Sequence, residues 1–507
     1  MAVFTVNKDR NVIPNFRNLA KTTQLGELDS VNQCSVSTTP SFHDIQSLAS
    51  DWNKTPSLVI ALDLMNHAIL SDNKSLTEAI EAANYVFSHP GSTQRQKDFA
   101  GKLIGKDILK ENHNYNISFQ DFLTDENRQR IRHKIRDLKS FVIINIRNPF
   151  AYVELARLYS IVGNKKQAIR SITTAAHLAP HNRYVIRSLI RLAVHYHEED
   201  LALFCLRQNQ FLLKKDPWIL ASDIAVTTSL SLPATHVKKG IQLLDSWNDN
   251  RFHISELASA IATLELMNGS RKRSRGYFKL AIENPNDNTL AQVEWANSKD
   301  SLLNIDVNYE DLNTFYEAKA RDSYSAKKWQ DVIELTQKWF MDQPFSKTPV
   351  LIGSDVAGSV YQDYDTASMF CKAGLISHPN DPLLLNNIAY YHALKNQTEE
   401  ALEYLDSISF ANADQITQLC AKATRGLIHF RNKQYQQGRV LYQEAIESAY
   451  ANNNEYLYFV AYLNYAREEI IVNPSQRKTF IEQVEKIPGG LSLDIDCLKA
   501  SIIGNRD

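Results

Sequence analysis

The densest run of metal-capable side chains in the sequence is His195, His197, Glu198, Glu199 and Asp200. Residues two apart on a helix point to different sides, so His195 and His197 cannot share a chelating face, and the run reads as a solvated turn. His177 and His181 have the i, i+4 spacing of a zinc-binding pair, but Pro180 ends the helix that would align them. Gly353 and Gly358 lack the Lys-Ser or Lys-Thr that completes a phosphate-cradling loop, and no G-x-G-x-x-G occurs. There is no G-x-S-x-G elbow and no H-E-x-x-H helix. Cys34, Cys205, Cys371, Cys420 and Cys497 are scattered and form no C-x-x-C pair. The expectation is a chain without catalytic residues, metal or cofactor, kept in a reducing compartment.

What remains is the chemistry of binding. Lys plus Arg (56) nearly cancels Asp plus Glu (57), so no overall positive field draws the chain to phosphate or anionic lipid, and nucleic acid is a disfavoured partner. Two local basic clusters stand out: Arg128, Arg130, Arg132, Lys134, Arg136 and Lys139, and then Arg271, Lys272, Arg273 and Arg275. The first spreads around more than one helix face beside Glu126 and Asp137, and the second sits at a turn. Both read as solvated surface, with contact to phosphate left open. The densest apolar stretches, such as 141–146, are far too short to span a bilayer, and the N-terminus lacks the apolar core of a signal peptide. A cytoplasmic protein with no membrane partner is expected.

The elements that would position any binding residues follow from spacing. Asn148-Pro149, Asp216-Pro217 and Asp381-Pro382 each put a capping side chain before a proline, the combination that opens a helix. Pro149 and Pro217 lie 68 residues apart, twice 34. After Pro149, Tyr152, Leu155, Ala156 and Tyr159 make one helical stripe; Gly163 supplies a turn; Ala168, Ile172, Ala175 and Ala176 make a second stripe, closed by Pro180. After Pro382 the design returns, with Leu385, Ile388, Ala389 and His392, a turn at Asn396, then Ala401, Leu405 and Ile408. Small residues at 156, 168, 389 and 401 let two helices approach closely. With only 16 glycines and 15 prolines and 44% hydrophobic residues, the composition suits long helices and brief turns.

At these residues the chain resembles the tetratricopeptide-repeat (TPR) superfamily, whose 34-residue unit carries a large residue, Leu, a small residue and Tyr on its first helix, then Ala, an aromatic or aliphatic residue, Ala and a closing Pro. The segments 148–180, 383–405 and 423–449 match this pattern well; 183–216, 217–250, 255–288, 313–346 and 348–381 are degenerate copies. The resemblance implies an all-α, right-handed superhelical solenoid of stacked helix-turn-helix repeats. The expected organisation is an extended arm over 1–50, an atypical helical region over 51–148 with a cryptic repeat between Pro56 and Pro90, a solenoid over 149–452 that slips near 250 and 289–312, and a helical cap over 453–507.

The resemblance also implies a concave groove lined by first helices. Arg157, Tyr184, Arg187 and Arg191 resemble groove-lining positions at one end, where three guanidiniums would favour an acidic peptide or protein surface. Asn386, Asn387 and Tyr390 hold equivalent places in a later repeat, where they would meet backbone amides or an apolar helix face. The leading functional expectation is a non-enzymatic scaffold or adaptor that binds a protein or peptide. The alternatives are a regulatory or sensor subunit controlling a separately encoded effector enzyme, such as a nuclease or protease, and, behind it, an RNA-binding helical repeat.

Overall fold

In the computed structural model, described for residues 10–16, 45–70, 76–92, 94–104, 118–144, 146–248, 250–307, 309, 315–410 and 413–504, every regular element is helical. The protein is an all-α solenoid of stacked helix pairs. It divides into two compact units, Asp9–Lys319 and Ala320–Asp507. The division falls inside the stretch expected as one solenoid over 149–452. Most of the expected arm over 1–50 lies outside the described residues, apart from 10–16, which is extended, and 45–50, which is already helical.

The N-terminal unit begins with α1 (Ile45–Lys54), α2 (Leu58–Leu70), α3 (Thr77–Ser88) and α4 (Gln94–Leu103). Trp52, Leu62 and Met65 pack among Ala61, Ala79, Ala82 and Ala83, whose short side chains bring the helices together. A one-turn helix α5 (Phe119–Phe122) leads into α6 (Asp125–Ile144). Then come the pairs α7 (Pro149–Ile161) with α8 (Lys165–Leu178), α9 (Arg183–His195) with α10 (Glu199–Gln208) and its continuation α11 (Gln210–Lys215), α12 (Pro217–Ser229) with α13 (Val237–Asp245), and α14 (Ser255–Met267) with α15 (Arg271–Ala281). A single turn of 3-10 helix over Arg251–Ile254 feeds α14. After α16 (Asp287–Lys299), Leu303 and Ile305 bury themselves with Phe278 and Trp295, and the next described helix is α17 (Tyr316–Ser325).

The 34-residue period has a backbone cause. Gly163, His197 and Ser231, each 34 residues after the last, take left-handed φ values of 69°, 56° and 54° at the turn between first and second helices. In each turn an N–H reaches back to a carbonyl five residues earlier: Asn164 to Tyr159, Glu198 to Ala193, and Leu232 to Thr227, at 2.8 to 2.9 Å. His197 therefore belongs to a turn register, and its nearest carboxylate, Glu199, is 3.9 Å away.

The C-terminal unit holds α18 (Trp329–Asp342), then α19 (Thr348–Asp355), which widens into a π turn over Val356–Val360, followed by α20 (Tyr364–Ser377). The pairs α21 (Pro382–Leu394) with α22 (Thr398–Asp406) and α23 (Gln415–Arg431) with α24 (Tyr435–Ala451) come next, then α25 (Glu455–Val472), α26 (Arg477–Glu485) and α27 (Leu493–Gly504). Asn396 makes the α21–α22 turn at a φ of 61°. Glycine sets the closest approaches: a Cβ on Gly353 would fall 2.4 Å from the Phe370 ring, and one on Gly438 2.5 Å from that of Phe430.

Candidate peptide groove in the N-terminal unit

The first helices of successive repeats in the N-terminal unit share one face, and charged side chains tie that face together across repeats. Arg157 is the local case: its Nε and Nη2 donate to both carboxylate oxygens of Glu154 on the same helix, at 2.9 and 2.7 Å. Arg183, at the start of α9, donates through Nε to Asp216, the cap of α12, at 2.6 Å. Arg187 reaches further, crossing the Trp218 ring 4.4 Å from its centroid to meet Glu256 of α14 with both terminal nitrogens, at 2.8 and 3.1 Å. A first helix thus grips the first helix two repeats on. Glu256 also accepts from Asn286 at 2.9 Å and Asn288 at 3.1 Å.

Arg191, one turn beyond Arg187, feels the charges of Glu317 on α17 and of Arg10. Burial lowers its affinity for the proton to a pKa of about 10, Glu317 opposes that shift and Arg10 adds to it. Tyr184 is buried on the same helix, its ring 5.9 Å from that of Phe150. The guanidiniums of Arg157 and Arg187, expected as the acid-binding lining, carry partners from the chain itself.

Along this face lies an extended segment, Arg10–Phe16. The side-chain amide of Gln292 on α16 donates to the Arg10 carbonyl at 2.7 Å, and that of Asn288 donates to the Ile13 carbonyl at 3.0 Å. Val12 and Phe16 are each 1% exposed and Pro14 is buried, so alternate side chains point into the helices, as on one face of a strand. Asn15 donates to Asp287 at 2.9 Å.

Arg10 makes the densest contact. Its Nε donates to Glu317 Oε1 (2.8 Å), Nη1 to Gln292 Oε1 (2.7 Å) and the Asn288 carbonyl (3.3 Å), and Nη2 to Asn288 Oδ1 (2.9 Å) and Glu317 Oε2 (3.2 Å). Those five bonds use all five guanidinium donors. The face therefore has two capacities: amides that take main-chain carbonyls of whatever sequence is present, and a carboxylate-and-amide socket shaped for arginine.

None of Arg10, Glu256, Asn288, Gln292 and Glu317 stood out in the sequence. The one local signal was the short apolar group Val12, Ile13, Pro14 and Phe16 within an otherwise unpatterned arm.

Asn386, Asn387 and Tyr390 belong to the C-terminal unit and are buried there. Thr424 donates to Asn386 (2.8 Å), Asn386 lies 3.4 Å from Asn387, and the Tyr390 hydroxyl donates to Asn464 (2.8 Å) while accepting from Arg467 (3.3 Å). Tyr390 and Arg467 edge a cavity of about 190 Å³ that also meets Tyr364, Asp494 and Cys497. Burial pushes the thiols of Cys205, Cys371 and Cys420 up to about 12 and that of Cys497 to about 11, the reverse of what a nucleophile needs. Cys34 lies outside the described residues. Among those residues no three metal-capable side chains converge, and no helix is long and apolar enough to cross a membrane.

The basic clusters are engaged at the surface. Arg128 pairs with Asp125 at 2.9 Å, while Arg271 pairs with Asp300 at 2.5 Å and Arg275 donates to the Leu303 carbonyl at 2.9 Å, holding the loop after α16.

No family model matches the sequence, and no curated relative matches it. Among solved structures, the crystal structure of yeast Tom70 aligns over 75% of this chain and 94% of that one, at 13% identity and a TM-score of 0.29, too low to carry an argument.

Proposed function

We propose that this chain is a non-enzymatic scaffold whose N-terminal unit holds an extended peptide along the first helices of its repeats. The observation behind this reading is the pair of main-chain contacts made by Gln292 and Asn288 to an extended segment whose alternate side chains are buried. Main-chain hydrogen bonds supply affinity and the side-chain seats supply selectivity, the division of labour seen wherever proteins receive extended peptides. The groove supports a basic residue at its socket better than an acidic one, since Glu317 faces the socket while Arg187 is occupied by Glu256.

The test uses a fluorescent peptide with the sequence of residues 8–18 and the full chain carrying Arg10→Glu and Phe16→Asp, which ejects its own segment. Saturable binding in the micromolar range is expected by anisotropy. Absence of binding by a variant that keeps its helical circular dichroism would defeat the reading.

A further inference from the structure

We infer that residues 10–16 are a built-in competitor for this groove, and that the partner displacing them is an extended segment carrying an arginine followed by apolar residues two, four and six places later. The inference rests on the peptide-binding reading above and adds to it the partner's chemistry and a control on access.

The partner's pattern comes from the seats. The socket between Asn288, Gln292 and Glu317 satisfies five donors in a planar fork, and a lysine, with three donors on a point charge, would leave two acceptors without their bonds. The seats of Val12, Pro14 and Phe16 are closed to water, so a polar side chain in any of them pays its desolvation without a partner. An acidic residue in place of arginine meets Glu317 head-on.

The control comes from tethering. Arg10–Phe16 belongs to the same chain as the groove it occupies, so its rebinding is intramolecular, which corresponds to an effective concentration on the order of millimolar. A free peptide with the same contacts must outcompete that local supply, so only a partner with better contacts, or one present as a multivalent array, opens the groove. Removing the arm's own hold converts a closed scaffold into an open one without touching the groove.

The experiment titrates the labelled 8–18 peptide, as its natural sequence and with the position of Arg10 changed to Lys or Glu, into three full chains: unaltered, Arg10→Ala, and Arg10→Glu with Phe16→Asp. The expected result is at least tenfold tighter binding by the double variant than by the unaltered chain, with Arg10→Ala between them. The Lys peptide should bind at least tenfold more weakly and the Glu peptide not at all. Equal affinity for all three chains overturns the competition while leaving the peptide groove standing. No binding by any helical chain overturns the groove itself. Arg10→Ala keeps Val12 and Phe16 seated, and so serves as the test should the double variant lose its helicity. An unaltered chain that runs as a dimer by light scattering, and becomes a monomer in the double variant, would place the arm in a second copy and also defeat competition within one chain.

Discussion

Asp216 and Asp381 hold the same post in different units, and the contrast between them measures what burial does to a repeated device. Each precedes a proline and caps a first helix: Asp216 accepts from the N–H groups of Trp218 and Ile219, and Asp381 from that of Leu384. Each also takes a cation from the start of the preceding first helix, Arg183 in one case and Lys347 in the other, 33 and 34 residues earlier. The Arg183 and Asp216 side chains are 1% and 0% exposed, those of Lys347 and Asp381 36% and 14%. The two spacings differ by one residue, and only the first pair has left water. A buried ion pair gains little over an apolar substitute but is expensive to break by halves; an exposed one is worth little either way.

The sharpest break in the comparison is Asp216→Ala. It removes a cap and takes from the buried Arg183 the carboxylate that its Nε meets, so the N-terminal unit should lose up to about 5 kcal/mol. Asp381→Ala should cost the C-terminal unit about 1 kcal/mol, the worth of the cap alone. Hydrogen exchange followed by mass spectrometry reads each helix separately, with α12 and α21 as reporters. Equal losses at the two sites would show that burial is not what separates them.

How much of this was legible in the sequence depends on how far apart the cooperating residues lie. The caps were legible because Asn148, Asp216 and Asp381 act on N–H groups two or three residues away. The turns were legible at Gly163 and Asn396, residue types that accept a left-handed backbone, and around His197 as a polar, solvated run, but not at Ser231, which adopts that backbone only because the repeat requires it. The first helices were harder to orient. In α7, Phe150, Val153, Leu158 and Ile161 are buried along with the Leu155 and Ala156 of the expected stripe, because neighbours flank the helix on several sides. A face of first helices was implied by the resemblance, but the partners that its side chains meet across repeats were not legible. Arg187 and Glu256 are 69 residues apart and Arg10 and Glu317 are 307 apart, separations at which no local pattern links one residue to the other.

The C-terminal unit has a buried carboxyl of a different kind, through which its stability should depend on pH. Among the described residues, no cation pairs with Asp355. Burial raises its pKa well above the ordinary carboxylate range, the neighbouring Asp494 raises it further, and only the hydrogen bond from Ser359, at 2.9 Å, pulls it down. Tyr324, Tyr391 and Cys497 also feel its charge. A raised folded-state pKa means that the neutral carboxyl stabilises fully below the unfolded value near 4 and that this contribution is lost as pH rises through the folded value. Asp355→Asn should therefore be close to neutral at pH 4 and increasingly stabilising toward pH 8, each unit of the original shift being worth about 1.4 kcal/mol. Melting temperatures of the two chains across that range check it. A difference that stays flat with pH would mean that Asp355 titrates normally in the folded chain.

The smallest effect belongs to Lys347→Ala, and its dependence on salt is more informative than its size. A half-exposed ammonium facing a cap carboxylate should contribute no more than about 1 kcal/mol, and raising the salt from 0.05 to 0.5 M should remove most of that, because the screening length falls from about 14 to about 4 Å. The cost of Asp216→Ala should hardly change over the same range, since the ions that screen Lys347 cannot enter around Arg183. If the Lys347→Ala loss persisted in high salt, the lysine would be stabilising α21 through the packing of its stem, and the two capped prolines would differ in the kind of contact they make as well as in its burial.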